Sequence, residues 1–267
     1  LALSMLCGCS RTDSSDAEEV LKSELDQLKN LDSDTTQKYI SYTEMFPDAT
    51  ENTKLSDEIQ NVFSLFFLQF DYKILDVSVD EDKKNAQASL ELTTIDAKSL
   101  ATDFAAELLR TKITEAAQAK AGNIKDSSKS LEGHYLILNQ LLTNNKYDSA
   151  VTDSTIQLTN KGDGKKEKWE IRRNYSLEND LVGGLISYLS DNNLLSPEET
   201  LTIYLNTLKS MNTEQMGNYL GIESLLNTSD SDKNSIASAL VEQVHQNFDF
   251  KITNCEEQGY TATVSTT

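Results

Sequence analysis

The sequence predicts an α+β protein in which helices pack on a curved antiparallel sheet, and in which this unit occurs twice in tandem. Several segments repeat apolar residues every three to four positions, as amphipathic helices do, and others alternate apolar and polar residues, as half-buried strands do. The third observation is an internal repeat, because residues 17–40 align without gaps to residues 197–220. The identical positions of that block are Glu18, Glu19, Leu21, Leu25, Leu28, Lys29 and Tyr39.

The repeat continues beyond this block and sets the expected domain boundaries. Residues 70–74 (Phe-Asp-Tyr-Lys-Ile) match residues 248–252 (Phe-Asp-Phe-Lys-Ile), and we align residues 86–90 with residues 260–264. We place the first α+β repeat at 16–190, a linker at 191–196 and the second repeat at 197–267. Because a full copy needs more residues than remain after 197, we expect the second copy to be incomplete.

Each copy opens with a signal for the start of a helix. In the second copy Ser196 precedes Pro197, and Glu199 follows, which is the pattern of a capping box with proline in the first turn. The first copy has the related pair Asp16 and Glu19. Apolar residues then fall on one helical face in both copies, so we expect two equivalent helical regions.

A second helix and a β-hairpin follow. In the first copy one helical face is apolar, which predicts a core helix with the stripe Ile59, Val62, Phe63, Phe66, Phe67 and Phe70. The runs 72–79 and 85–94 are strand-like, and the charged residues 80–84 between them predict a turn.

The remainder of the first copy contains two further helices and two further strands. We expect helices at 96–121 and 131–142, a strand at 154–159 and a strand at 166–172 in which Trp169 and Ile171 alternate with charged residues. An apolar run at 177–189 predicts a closing helix.

The first nine residues are mainly apolar and end at Cys9, after which the chain becomes polar. They resemble the lipobox of bacterial lipoproteins, which has Leu three places before the acylated cysteine and Gly or Ala directly before it. Leu6, Gly8 and Cys9 match that motif, whereas an anchor at Cys7 would put Leu6 at the cleavage point. The resemblance implies a signal-peptide remnant at 1–8, a lipidated linker at 9–15 and attachment to the extracytoplasmic face of the cell membrane through a lipid on Cys9. Because the run lacks an initial Met and basic residues, we expect the signal peptide to be only partly present.

The element order, the tandem arrangement and the strand Lys-Trp-Glu-Ile at 168–171 resemble the cystatin-like and nuclear-transport-factor-2-like lipoproteins of Gram-positive bacteria. The resemblance covers the first copy wholly and the second partly. It implies that each copy is a cone of helices packed on a sheet. Proteins of that fold include enzymes and inert adaptors, so the resemblance names no activity.

Composition narrows the range of partners. The net charge is −19, from 43 acidic and 24 basic residues, and no basic cluster is long enough to follow a phosphate backbone. We therefore expect no nucleic-acid partner. After acylation of Cys9 and removal of the residues before it, Cys255 is the one remaining thiol, so we expect no disulfide within the chain.

No motif for catalysis, a cofactor or a metal stands out. His134 and His245 lie in different copies, and by the alignment His245 replaces Phe67 on a core stripe, so a shared metal site is not expected. Residues 230–241 begin like a calcium loop but have Ser235 where Gly is needed and Val241 where Glu is needed. We expect no catalytic residue, no metal and no cofactor.

Four residues that recur in both copies are the candidates for a ligand site: Asp71, Asp249, Tyr39 and Tyr219. Our leading interpretation is a non-enzymatic, lipid-anchored binding or envelope scaffold module whose partner is another envelope protein. The alternative is a small-ligand receptor with a pocket in each α+β domain, lined by these recurring residues.

Overall fold

A computed structural model describes residues 14–49, 57–119, 127–162, 167–222, 229, 231–259 and 261–267, and it confirms the α+β class. Its helices are α1 (Ser15–Lys29), α2 (Ser33–Tyr39), α3 (Asp57–Phe66), α4 (Ala97–Ala119), α5 (Leu131–Asn144), α6 (Tyr175–Leu181), α7 (Leu185–Leu189), α8 (Pro197–Ser210), α9 (Thr213–Leu220) and α10 (Ser231–Asn247). Its strands are β1 (Asp71–Val79), β2 (Asn85–Ile95), β3 (Ser149–Asn160), β4 (Trp169–Ile171), β5 (Ile252–Gln258) and β6 (Thr261–Thr266). Short 3-10 turns follow α3 and precede α5.

The chain forms two compact units. The first contains the described residues up to Met45, with residues 60–98 and 145–187, and the second contains residues 46–59, 99–144 and 188–267. These units follow a different division from the predicted repeats, because residues 99–144 of the first repeat group with the second unit. The sequence repeat does not contain this information, since these residues have no counterpart in the second copy.

The first unit is built on a four-stranded antiparallel sheet in the order β1-β2-β3-β4. Strand β2 pairs with β1 on one side and, over its whole length, with β3 on the other. One face of β2 is buried and the other is more exposed, as in an antiparallel sheet covered by helices on one side. The buried positions are Ala86, Ala88, Leu90 and Leu92.

Helix α1 provides much of the apolar layer on this sheet. Its stripe is fully enclosed, with Leu21, Leu25 and Leu28 at 0%, 1% and 0% exposure. The Phe stripe of α3 and its 3-10 turn is buried as predicted at Val62, Phe66, Phe67 and Phe70.

The second unit combines a helical core with a two-stranded hairpin, β5-β6. Ile113 and Ala117 of α4 are buried with Met211, Met216 and Val241, which come from α8–α10 and the turn between α8 and α9. The long helix predicted at 96–121 therefore forms part of the core of the second unit.

Two features of the local geometry recur in both copies, although the first helices begin differently: α8 has the Ser196 capping box, whereas α1 has no side-chain cap and Asp16 lies within it. Asp32 caps α2 by accepting the Thr35 N–H at 2.8 Å, and Asn212 caps α9 by accepting the Gln215 N–H at 2.8 Å. A β-bulge lies between Ile74 and Asp76 of β1 and between the equivalent Ile252 and Asn254 of β5.

The strand pairing corrects the alignment of the last segment by two residues. Ile74 pairs with Leu90, whereas its counterpart Ile252 pairs with Thr266. Leu90 therefore corresponds to Thr266, and Ala88 corresponds to Val264. Because the shift is by two residues, the inward and outward faces of the strand are unchanged.

The closing helix predicted at 177–189 is two short helices, α6 and α7. Gly183 and Gly184 separate them and have φ angles of 63° and 85°, a left-handed conformation that ends a helix. Strand β3 is longer than predicted and begins at Ser149. Among the described residues, no helix combines the length and the apolar character that crossing a membrane requires.

Candidate functional site

The structure places Asp71 and Asp249 in equivalent ion pairs rather than in a pocket. The Asp71 carboxylate lies 2.7 Å from Lys29 Nζ, and the Asp249 carboxylate lies 3.0 Å from Lys209 Nζ. In both cases the lysine is the largest cause of a lowered aspartate pKa, because it stabilises the charged carboxylate. Both aspartates are largely exposed. Each pair links the end of the first helix of a copy to the residues at or just before the start of the first hairpin strand.

Tyr39 and Tyr219 occupy equivalent positions with different neighbours. Tyr39 is buried, and its hydroxyl has no hydrogen-bond partner of normal geometry among the described residues. Burial raises the Tyr39 pKa, and the nearby Glu24 carboxylate raises it further. Tyr219 packs on the core of the second unit, and its hydroxyl meets that of Tyr204, the residue equivalent to Glu24.

The predicted pocket in each domain, lined by these recurring residues, does not correspond to a described groove. Asp71 and Tyr39 lie in the first unit, and Asp249 and Tyr219 lie in the second. The described grooves are not lined by any of the four. Cys9, the predicted lipid attachment point, lies outside the described residues.

The second unit has a large groove between α8 and the β5-β6 hairpin, with a volume of about 1130 Å³. Leu201 of α8 and Ala262 and Val264 of β6 provide apolar surface, and Glu199 and Glu257 are its acidic residues. The groove is lined by 192–197, 199–201 and 204 on the helix side and by 257, 259, 261, 262 and 264 on the hairpin side. We call it the α8-hairpin groove.

The same surface is covered in the first unit. Leu21 corresponds to Leu201 and Ala88 to Val264, and both are at 0% exposure. Strand β3 pairs along the outer edge of β2, and β4 packs against α1 with Trp169 buried at 4% exposure. Two elements of the first unit therefore occupy the position that is a groove in the second.

On the side away from β5, the backbone groups of β6 have no partner strand among the described residues. Thr267 and Lys251 exchange two backbone hydrogen bonds, of 2.8 and 3.0 Å, so the polar groups of Thr267 point toward β5. Because these directions alternate along an antiparallel strand, the N–H and C=O groups of Ala262, Val264 and Thr266 point to the opposite side. No strand among the described residues pairs with that side of β6.

Sequence reasoning missed this surface because the repeat search selects what the two copies share. The groove is where they differ. One signal was available: the segment from Thr261 to Thr266 is uncharged and contains three Thr and one Val, without the Lys, Glu or Pro that protect exposed edge strands.

The first unit has a smaller and more polar groove of about 460 Å³ at the end of its sheet. Its lining includes Asp80, Gln87, Gln157 and Arg172. Val79 and Ala86 of this groove are equivalent to Glu257 and Ala262 of the α8-hairpin groove, whereas the counterparts of Asp80 and Gln87 do not line that groove, so the two grooves overlap only in part.

A buried glutamate in the first unit was also missed. Glu178 is 2% exposed, accepts the Ser41 N–H and lies 3.4 Å from Arg173. Burial raises the Glu178 pKa, and the neighbouring Glu44 adds to the shift. Its hydrogen bond to the Ser41 backbone gives it a structural role, since it holds α6 to the segment that follows α2.

The two histidines have structural contacts. His134 lies among aromatic rings of the second unit, 4.8 Å from Phe46 and 5.6 Å from Phe104 between ring centres, and its Nε2 donates to the Ser128 carbonyl at 2.9 Å. Burial lowers the His134 pKa, which favours the neutral ring. His245 Nε2 donates to the Lys209 carbonyl at 2.6 Å. Within the described residues no group of three His, Cys, Asp or Glu side chains is arranged to hold a metal.

Comparison with known proteins identifies no related protein. No protein-family model matches the chain, and no curated protein or solved structure is significantly similar to it. The function therefore has to be argued from the groove and the repeat.

Proposed function

We propose that this chain is a non-enzymatic, lipid-anchored binding or scaffold module on the extracytoplasmic face of the cell membrane, and that the α8-hairpin groove is its binding surface. One observation carries the proposal. Among the described residues, α8 and the β5-β6 hairpin of the second copy border a groove of about 1130 Å³, whereas β3 and β4 lie at the equivalent position in the first copy. Its lining combines apolar residues such as Leu201 and Val264 with polar residues such as Asn192 and Glu257, and concave surfaces that offer both kinds of contact are common ligand sites.

A ligand screen by thermal shift tests this proposal. Ligand at a hundred times its dissociation constant stabilises the folded state by about 2.7 kcal/mol, which raises the melting temperature of a protein of this size by about 5 to 10 °C. The screen applies metals, peptides, glycans and small metabolites to the purified full chain. A variant, Ala262→Arg, fills the groove, and Thr263→Arg on the opposite face of the same strand is its matched control.

The proposal predicts a shift that Ala262→Arg abolishes and Thr263→Arg retains. A shift that both variants retain would place the binding site elsewhere and contradict the proposal. The absence of any shift would contradict binding of these ligand classes in the groove and would favour a scaffold whose partner is another protein.

The lipid anchor is supported by the match of Leu6, Gly8 and Cys9 to a lipobox. It is tested by labelling with a fatty-acid analogue in bacteria that express the gene. Cys9→Ala should leave the precursor uncut and unlabelled, and Cys7→Ala should be processed and labelled normally. Labelling that is lost in Cys7→Ala and retained in Cys9→Ala would place the lipid on Cys7 instead. If neither the wild-type protein nor either variant is labelled, lipidation is refuted.

The small-ligand receptor is the second candidate, and one observation favours it: each unit has a groove of its own. Arg172 and Asp80 of the first-unit groove are charged groups that a polar metabolite would contact. Substitution of Arg172 by Met should then abolish a metabolite-induced shift without changing the melting temperature of the free protein. Metabolite binding that survives this change would exclude the first-unit groove as a receptor site.

A further inference from the structure

We propose that the first-unit groove, lined by residues 78–80, 85–87, 157–159 and 172, binds a short peptide. The C-terminal carboxylate of the peptide lies on Arg172, and its peptide groups lie on Gln87 and Gln157. The inference rests on the small-ligand candidate, whose ligand class it names, and it is independent of the α8-hairpin groove.

The groove lies on the face of the sheet that the helices leave open. Ala86 and Leu158 line it only along the backbone, because their side chains turn to the other face and are 4% and 1% exposed. Since successive residues of a strand point to opposite faces, the side chains of Ser78, Gln87 and Gln157 point to the open face, and all three are exposed. The groove volume of about 460 Å³ is within the range of about 300 to 1,000 Å³ that is usual for ligand sites.

Four polar side chains form a row across the sheet. Ser78 pairs with Gln87, and Gln87 pairs with Gln157. Arg172 lies opposite Gln157, since its N–H donates to the Gln157 carbonyl at 2.7 Å. Residues opposite each other in antiparallel strands have their side chains on the same face. Adjacent strands are about 4.8 Å apart, so the row from Ser78 to Arg172 is about 14 Å long.

The polar groups of this row are available to a ligand. The described arginines Arg110 and Arg173 lie 2.8 and 3.4 Å from glutamate carboxylates. By contrast, the side chains of Arg172, Gln87 and Gln157 make no ion pair or hydrogen bond to any described residue. An arginine without a carboxylate partner, in a protein with a net charge of −19, is the natural contact for the carboxylate of a ligand, which guanidinium binds through two parallel hydrogen bonds.

The two glutamines favour a peptide over a simple carboxylic acid. A side-chain amide has both donors and an acceptor, so it can pair with both the N–H and the C=O of a peptide group. Gln87 and Gln157 are on neighbouring strands, next to Arg172 in the row. A peptide of four residues extends to at most about 14 Å, which is the length of the row.

Asp80 gives the groove a negative end. It lies on the β1 side, away from Arg172, and lines the same groove. Hydrogen bonds from the Asn85 backbone and side chain lower the Asp80 pKa, so its carboxylate is ionised at neutral pH. A positive and a negative end suit a peptide with a free carboxylate and a free amino group. Phosphate suits the groove less well, because Arg172 is the one basic residue of the described lining and Asp80 repels a dianion.

Tetra-alanine is the probe, because it has the charged ends and the peptide groups but no other polar side chain. It is titrated into the isotope-labelled full chain, and the side-chain amide signals of Gln87 and Gln157 are followed by NMR. The same peptide with an amidated C-terminus, the same peptide with an acetylated N-terminus, and inorganic phosphate are titrated in parallel. Arg172→Met is the test variant. Arg110→Met is its matched control, since Arg110 is also exposed and lines none of the described grooves.

We expect saturable shifts of both glutamine signals. Arg172→Met and amidation of the C-terminus should each weaken binding about tenfold or more, because each removes the charged pair. The two changes together should weaken binding little more than either alone, since both remove the same interaction. Acetylation of the N-terminus should weaken binding severalfold, and Arg110→Met should leave it unchanged.

Three outcomes overturn the inference. Amidated tetra-alanine that binds as tightly as the free acid removes the carboxylate contact, and this result does not depend on the folding of any variant. Phosphate that displaces the peptide at equal concentration makes the groove a general anion site. No shift with the peptide, together with an Arg172-dependent thermal shift from another metabolite, leaves the small-ligand candidate standing and removes the peptide as its ligand.

Discussion

The two copies of the repeat share several local features and differ in how far they bury the same helical face. The helix cap, the β-bulge and the lysine–aspartate pair recur at equivalent positions. By contrast, Leu21 and Leu25 of α1 are fully buried, whereas Leu201 and Leu205 of α8 are half-buried. The comparison shows that the local sequence determines the cap, the bulge and the ion pair. The strands that cover the helix determine how far its leucines are buried.

Substitution of equivalent leucines should show this difference most strongly. Leu25→Ala leaves a cavity in an enclosed layer and should lower the free energy of unfolding by about 3 to 4 kcal/mol. Leu205→Ala should cost about 1 kcal/mol, because the site is already partly hydrated. Urea unfolding followed by circular dichroism measures both. Equal losses would show that the two faces are buried to the same degree.

Two glycines in left-handed conformation give the next contrast. An added Cβ at Gly183 (φ 63°) would lie 2.3 Å from Thr94 Oγ1, whereas one at Gly259 (φ 61°) would meet nothing within 4 Å. Gly183→Ala should therefore cost about 3 kcal/mol, from backbone strain and overlap together, and Gly259→Ala only about 1 kcal/mol from strain. Thermal unfolding of the two variants measures the difference, and a Gly259→Ala loss as large as that of Gly183→Ala would contradict the open hairpin turn.

The equivalent helix caps differ in their response to pH. Asn212→Ala should cost about 1 kcal/mol at every pH. Hydrogen bonds from Thr35 lower the Asp32 pKa, so the stability that Asp32 contributes is present above its unfolded pKa and is lost as the pH falls through the folded pKa. Asp32→Asn copies the second cap and should keep the helix while removing that pH dependence. Denaturation at pH 7 and pH 3 compares the variants, and an unchanged acid response in Asp32→Asn would contradict this role.

The ion pairs should have the smallest effect. Asp71→Asn should lower stability by less than ~1 kcal/mol at low salt and by nothing measurable at high salt, because the pair is exposed and screened. Lys29 lowers the Asp71 pKa, so the contribution is present above the unfolded pKa and is lost as acid protonates the folded carboxylate. Asp76→Asn on the same strand controls for the change in net charge. A large loss that persists in high salt would give Asp71 a role beyond the pair.

Much of the fold was predictable from local signals. The capping box of Ser196 and Glu199 is present, and the Phe stripe of α3 is buried at its described positions. Hairpin strands β1 and β2 lie within a residue of their predicted bounds. These features depend on contacts over a few residues, which a sequence pattern encodes directly.

The parts that were missed depend on long-range packing. Nothing in the sequence of 99–144 indicates that Ile113 and Ala117 belong to the core of the second unit. The candidate residues Asp71 and Asp249 were chosen because they recur, but what recurs is a structural ion pair. The groove arises where the two copies differ, so a search for residues identical in both copies does not detect it.

Amide hydrogen exchange of the free full chain, read residue by residue by NMR, tests most directly whether the β6 edge is open. The amides of Ala86, Ala88 and Leu90 bond to β3 and should be strongly protected, and those of Ala262, Val264 and Thr266 should exchange rapidly although they lie in an equivalent strand. Protection of the β6 amides equal to that of the β2 amides, in the absence of any partner, would mean that the edge is already covered and would contradict the account.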